Sequence, residues 1–364
     1  MTIPLHISSE LRPGDRGLGF GRAQTERVAR TVAAYRSLFQ STHGFSVGEV
    51  RTIGDTVAAQ LARRWPELLE EIAGIAHGSG QDEGELVAIN ARTEVLSAHR
   101  HPECSVVAVL PSRFSDQAVL LGQNWDWHSC SRDSLVAWRV SAGGGEWFVT
   151  ITEAGILAKI GFNSCSLACC LNILGTTMDS GVGGSPVHLL LRRVLQDCAT
   201  VSEATTMLAE ETMSASSAIT LVQATPKPDA VSVELSPGEA RLVHPDSTGC
   251  LLHTNHFLAS SPSGSDTAVE SPGSRERLEE LRDWASGLEG AVKIEDLQAV
   301  FRSHRSSPTA ICRHRDTSLP DVDQTETLAS VLMDLSTLKL VATDGLPCAT
   351  SYQHIVRGLE VRTV

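Results

Sequence analysis

No stretch of this sequence approaches the roughly 20 consecutive apolar residues that a membrane-spanning helix needs. Its opening, MTIPLHISSELRPGD, has neither a basic start nor an apolar centre, so no secretory leader is expected. Basic residues are in the minority: 30 Lys and Arg stand against 43 Asp and Glu, a formal net charge of −13. That balance argues against nucleic acid or an anionic membrane as partner, because phosphate binding needs a basic face. The final VRTV is not an SKL-type peroxisomal address, and the expected location is cytoplasmic. No CxxC pair is present. Nine cysteines, an odd number at irregular spacing, suit neither a disulfide framework nor a zinc module, so no metal and no cofactor are expected. What is there is a 364-residue chain, 41% hydrophobic and 20% charged, with enough apolar content for a large core.

Residues 22–100 read as helical. Val28, Val32, Tyr35 and Leu38 recur at helical spacing, and the stretch from Val47 keeps that period until Gly78 and Gly80 break it. DEGELVAINARTEVLS adds one more helix with an acidic first turn. From Cys104 the texture changes. CSVVAVL, AVLLGQNWDW, SLVAWRVSA and EWFVTITEAGI are short, β-rich and separated by turn residues, as antiparallel strands are. Two further strands flank Asn163–Ser164. A helix follows, with Ser185 as candidate cap and Pro186 at its first position. SAITLVQA, AVSVELS and EARLVHP return to strand, residues 258–274 form a polar loop, RERLEELRDWASGLEG is helical, and a hairpin closes the chain. Runs of strands and runs of helices with few crossover units predict an α+β fold.

Cys104 stands directly before a buried apolar run, after a polar, His-rich stretch. A buried cysteine is ordinarily a small hydrophobe, and a thiol nucleophile ordinarily needs a histidine base. His99, His101 and His128 are at hand, but 13 histidines put some near any position. Another arrangement needs none. If the bond before Cys104 is cut, the new α-amine, with a pKa of about 8, takes the proton from its own side chain.

Several motifs centre on this cysteine: RWPELLEEIAGIAHG, NARTE, GQNWDW, TEAGILAKIGFNS, HTNH and SPTAICR, in order from about residue 60 to 315. In these the chain resembles the isopenicillin N acyltransferases (acyl-CoA:6-aminopenicillanic acid acyltransferases). These belong to the N-terminal nucleophile superfamily, beside the penicillin V acylases and bile-salt hydrolases. The resemblance implies an αββα four-layer sandwich. It implies self-cleavage between Glu103 and Cys104 into a helical segment, 1–103, and a catalytic segment, 104–364, which stay together. Cys104 matches the nucleophile. Asp126 matches the acid that holds the α-amine, Asn255 an amide donating to the oxyanion, and Arg313 an arginine beside the nucleophile. Asn163 is a candidate second oxyanion contact. Trp125, Trp127, His128 and Ser217 are candidate substrate contacts, while Cys312 reads as a packing thiol.

Glu103 departs from the family pattern, where glycine precedes the cysteine, and His128–Ser129 replace aromatics. The expected activity is that of an N-terminal cysteine acyltransferase or amide hydrolase in secondary metabolism. A small acyl donor is expected, with acyl-CoA as candidate co-substrate, and a small amine or water as acceptor. The alternative is a catalytically inactive binding protein on the same fold. That reading predicts loss of Cys104, Asp126, Asn255 or Arg313, and all four are present.

Overall fold

A computed structural model describes residues 2–96, 104–111, 118–259, 262–267 and 272–358. Glu103, His99 and His101 lie outside the described residues, as does part of the 258–274 loop.

The chain begins with a strand, β1 (Leu5–Ser8), ahead of the stretch expected to be helical. Six helices follow: α1 (Pro13–Ala23), α2 (Thr25–His43), α3 (Val47–Arg64), α4 (Pro66–Ser79), α5 (Glu83–Asn90) and α6 (Arg92–Val95). The period read from Val28 onward is the buried face of α2. The expected single helix over DEGELVAINARTEVLS is two, divided at Ala91. Gly78 does not end a helix. It lies inside α4, where an added Cβ would sit 2.4 Å from the Leu18 carbonyl of α1. Gly74 of α4, and Gly17 and Gly21 of α1, meet the opposite backbone in the same way. Only the absence of side chains lets the two helices approach so closely. Gly80 supplies the stop, in the left-handed region at φ 70°.

The strands β2 (Ser105–Val109), β3 (Leu120–His128), β4 (Leu135–Gly143), β5 (Glu146–Glu153), β6 (Ile160–Asn163) and β7 (Leu167–Ile173) fall where the β-rich runs predict them. The next helical stretch is two elements, α7 (Val187–Asp197) and α8 (Val201–Ala209). Ser185 does not cap α7: its hydroxyl donates to Glu211, and Pro186 occupies the cap position. The orphan Val187 N–H is taken instead by Glu94 of α6, at 2.9 Å, which satisfies the helix end from a distant element. Then come β8 (Ser217–Gln223), β9 (Asp229–Ser236), β10 (Glu239–Val243), β11 (Cys250–His253), α9 (Pro272–Ser286), α10 (Ile294–Phe301), β12 (Thr325–Asp334), β13 (Lys339–Ala342) and β14 (Gln353–Arg357).

Two sheets result. One runs β1-β4-β5-β6-β7-β8-β9-β10, with β1 parallel to β4, and the other β11-β2-β3-β12-β13-β14. Alternation along β2 shows the layering. Val106 and Ala108 join the core shared with the eight-stranded sheet and α1–α8, whereas Val107 and Val109 pack with α9 and α10. Helices therefore cover both outer faces, and the order is α–β–β–α, the four-layer sandwich expected. The segment before Cys104 contributes Phe20, Val28, Tyr35, Ile72 and Leu86 to the same core as β2 and β3. Among the described residues, no helix is long and apolar enough to cross a membrane.

Candidate active site

Cys104 sits at the start of β2, 3% exposed, and by strand alternation its side chain belongs to the inter-sheet face with Val106 and Ala108. Its main chain is gripped from three elements. The Cys104 N–H donates to Asn255 Oδ1 at 2.6 Å. Its carbonyl accepts from Arg277 of α9 at 2.7 Å and from Asn172 Nδ2 of β7 at 3.2 Å. Arg277 also donates to Ser105 Oγ (2.8 Å) and Asn255 Oδ1 (3.3 Å). Asn255 Nδ2 donates to the Ile173 carbonyl at 2.9 Å, so its oxygen must be the atom that faces Cys104. The thiol points at the Asp126 carbonyl, 3.8 Å away.

Burial pushes the Cys104 thiol up. The positive charge of Lys159 opposes that shift, as do a backbone hydrogen bond at Asp126 and the charge of Arg277, while the Asp126 charge adds to it. Lys159 is itself buried, its ammonium 4.1 Å from the Trp125 ring centroid and 5.4 Å from that of Trp127. Desolvation, reinforced by the Arg92 charge, brings Lys159 down to about 7. Arg92 lies 3.9 Å over Trp127 and 3.7 Å from Glu153, and Glu153 accepts the Tyr35 hydroxyl at 2.6 Å. Trp125 and Trp127 are thus inter-sheet core residues, sandwiched against buried cations.

Asp126 Oδ1 accepts from Thr327 Oγ1 at 2.6 Å. Thr327 in turn exchanges bonds with the Arg313 main chain: Arg313 N–H to Thr327 Oγ1, and Thr327 N–H to Arg313 O, each 2.9 Å. The Arg313 Nε donates to Thr325 Oγ1 at 3.0 Å. Arg313 therefore joins the site through Thr327, whereas Arg277 reaches the Cys104 main chain itself. His128, two residues past Asp126, has its Nδ1 on the Val322 carbonyl at 2.8 Å, and burial lowers its pKa. Ser217 is buried at the start of β8, opposite Ile173, whose carbonyl holds Asn255.

Asn163 is not where an oxyanion contact was expected. Its Oδ1 accepts from Cys165 and Leu167, and its Nδ2 donates to the Leu195 and Cys198 carbonyls at the end of α7. Leu167 begins β7 and Asn172 lies near the other end, about 16 Å apart at strand rise. The polar residue that this sheet sends to Cys104 is Asn172.

Lys159, Asn172, Arg277 and Thr327 were not singled out from sequence. Lys159 and Asn172 carry a signal: each is a polar interruption of an apolar run, in ILAKIGF and LACCLNIL. Arg277 carries none, since RERLEELRDW is charged throughout and reads as a solvent face. Three polar residues of the NARTE motif serve the structure. Asn90 holds Gly155 and Leu157, Arg92 covers Trp127, and Glu94 caps α7.

A family model described as acyl-coenzyme A:6-aminopenicillanic acid acyl-transferase matches residues 113–345. A curated relative, the 40 kDa form of acyl-coenzyme A:6-aminopenicillanic-acid-acyltransferase of Emericella nidulans, is 27% identical over 314 residues, 85% of this chain and 84% of the relative. Solved structures similar to this chain include penicillin V acylase from Agrobacterium tumefaciens, 15% identical, covering 66% of this chain and 83% of the other, with a TM-score of 0.44. Another is a Caenorhabditis elegans ortholog of N-acylethanolamine-hydrolyzing acid amidase, 14% identical, covering 64% and 92%, with a TM-score of 0.45. A third is a variant of conjugated bile acid hydrolase from Clostridium perfringens, 13% identical, covering 72% and 100%, with a TM-score of 0.45.

Proposed function

Because this chain belongs to the acyl-coenzyme A:6-aminopenicillanic acid acyl-transferase family, we propose that its acyl-transfer chemistry runs on Cys104, released as a new N-terminus by cleavage after Glu103. The observation that carries this reading is the grip on one cysteine's main chain by Asn255, Asn172 and Arg277. A packing thiol needs no such fixation. A residue whose own nitrogen and sulfur must react needs both at defined positions.

In the first step the Cys104 sulfur adds to the residue 103 carbonyl carbon and the amide C–N bond breaks. Residue 103 is left as a thioester and Cys104 gains an amine. Water cleaves the thioester, giving the 103 carboxylate and restoring the thiol. The shared core of the two segments then holds 1–103 against 104–364. In turnover the α-amine takes the thiol proton. The thiolate attacks the acyl donor's carbonyl, and the donor's thiol or amine leaves with a proton. A small amine, or water, attacks the resulting thioester and regenerates Cys104.

Asn255 Oδ1 orients the nitrogen, and Lys159 and Arg277 favour thiolate over thiol. The second N–H of Asn255 Nδ2 is available to a developing oxyanion, a donor worth about 3 kcal/mol of barrier. Asp126 acts from the Thr327 side, and Arg313 positions Thr327. Trp125 and Trp127, buried against Lys159 and Arg92, back the acyl site from within the core, with His128 and Ser217 at its polar margin. The relative named for acyl-coenzyme A supports an acyl-CoA thioester as donor. Incubation with a panel of acyl-CoA thioesters and N-acyl amines, followed by intact-mass measurement, tests this. An acyl adduct on the Cys104 segment is expected, absent in Cys104→Ser, and it should decay faster with new amide when an amine is added. Turnover without an adduct, or an adduct that survives Cys104→Ser, would overturn it.

A further inference from the structure

Two surface loops bring four ligand-bearing side chains to one point. His304, Cys312 and His314 lie on the loop after α10, and Cys348 lies between β13 and β14. One nitrogen or sulfur of each falls within 4.8 Å of the others. The His304 and His314 Nε2 atoms are 3.1 Å apart, and His314 Nε2 is 3.3 Å from Cys348 Sγ. A tetrahedral zinc with bonds of about 2.0–2.1 Å to nitrogen and about 2.3 Å to sulfur has N···N edges of about 3.3 Å and N···S edges of about 3.6 Å. The observed separations approach those edges.

A single ring nitrogen of His314 faces both another ring nitrogen and a thiol. That nitrogen carries either one proton or one lone pair, so it makes a full hydrogen bond to only one of them. A cation at the centre uses all four. We propose that His304, Cys312, His314 and Cys348 form a tetrahedral N2S2 zinc site. Two imidazoles and two thiolates complete the coordination shell and leave no open position, as in structural rather than catalytic zinc. The loops are already braced beside the ligands: Arg302 Nε donates to the Pro347 carbonyl (2.9 Å) and Cys312 N–H to the Ser303 carbonyl (2.9 Å).

The expectation of no metal rested on the odd count and irregular spacing of the cysteines and on the missing CxxC pair. The ligand spacing, with 33 residues between His314 and Cys348, hides from sequence a site that tertiary contact assembles. Cys312 is thereby more than a packing thiol. The ion would hold both neighbours of Arg313, and through Arg313 and Thr327 it would stiffen the support of Asp126.

The test uses the full chain, purified under reducing conditions without chelator. Elemental analysis should give about one zinc per chain, falling to near zero in His304→Ala and in Cys348→Ser and unchanged in Cys130→Ser. His304 and Cys348 are exposed, so these variants spare the core. Cobalt added to stripped protein should give thiolate charge-transfer absorption and the strong visible bands of a tetrahedral site. Alkylation of Cys348 should be at least about tenfold slower in the zinc form than after stripping, since ligation masks the thiolate, while exposed Cys130 reacts equally in both. Zinc content unaffected by the two variants, octahedral cobalt spectra, or a Cys312–Cys348 disulfide in the reduced preparation would each overturn the proposal.

Discussion

Lys159 and Cys104 share one dry environment, and at the residue scale each sets the other's charge. Burial works against both charged forms, and the pair recovers part of that cost when ammonium faces thiolate. Lys159→Met removes the first-named cation that lowers the thiol. Alkylation of Cys104 in the processed protein should then slow several-fold at pH 7 and shift its pH profile upward; an unmoved profile would deny Lys159 this role. Asn255→Ala leaves the Cys104 nitrogen without its acceptor and should lower turnover by about 10²–10³-fold, as loss of one preorganised group does. Unchanged rates of both processing and turnover would contradict that assignment.

Glu94 gives a pH prediction. Burial lifts its carboxyl to about 8, against 4.5 for the free side chain. Across that interval the folded protein keeps a proton that the unfolded chain has released. Stability from this group is complete below about 4.5 and is lost as pH rises through about 8, by up to about 1.4 kcal/mol per pH unit. Glu94→Gln keeps the cap on Val187 and removes the titration. In urea unfolding from pH 5 to 8.5 the stability of the native protein relative to Glu94→Gln should fall as pH rises; parallel lines would exclude Glu94 as a source.

At the scale of elements, the close contact of α1 with α4 depends on four glycines. Gly74→Leu or Gly78→Leu must separate the helices, because the added carbon would meet a carbonyl 2.4 Å away. A loss of about 1–3 kcal/mol is expected from overpacking, read as a lower midpoint in thermal unfolding; an unchanged midpoint would mean the helices part freely. The same pair is tied by charge. Glu71 of α4 takes paired bonds from Arg16 of α1 and Arg192 of α7, all three buried. The arginines hold its carboxyl below the usual range against the burial that raises it. The period-3.6 apolar faces and the alternating strands were legible because burial follows side-chain polarity there. Gly78 was misread because a glycine in sequence signals a stop, as Gly80 does, while Gly78 marks a helix contact. Arg16, Glu71 and Arg277 were hidden because a charged residue on a helix reads as solvated until its partner, 55 or more residues away in the case of Glu71, is known. β11 and α10 are too short for their periods to show.

For the whole molecule, the change of texture at Cys104 marked where the strands begin, and β2 starts at the next residue; the ordered motifs around it single out the cysteine proposed as nucleophile. The two sheets then bring together residues that no local pattern connects: Asn172, Asn255 and Arg277 come from one strand, one loop and one helix. Their common target is the main chain of Cys104. The proposed chemistry requires the Cys104 nitrogen to become a free amine. Mass measurement of the denatured, freshly purified protein tests it most directly. Two fragments of roughly 11 and 28 kDa are predicted, in proportion to the 38.9 kDa of 364 residues, the larger beginning Cys104-Ser105-Val106, and Cys104→Ala should remain one chain. A single uncut chain that nevertheless transfers acyl groups would contradict it.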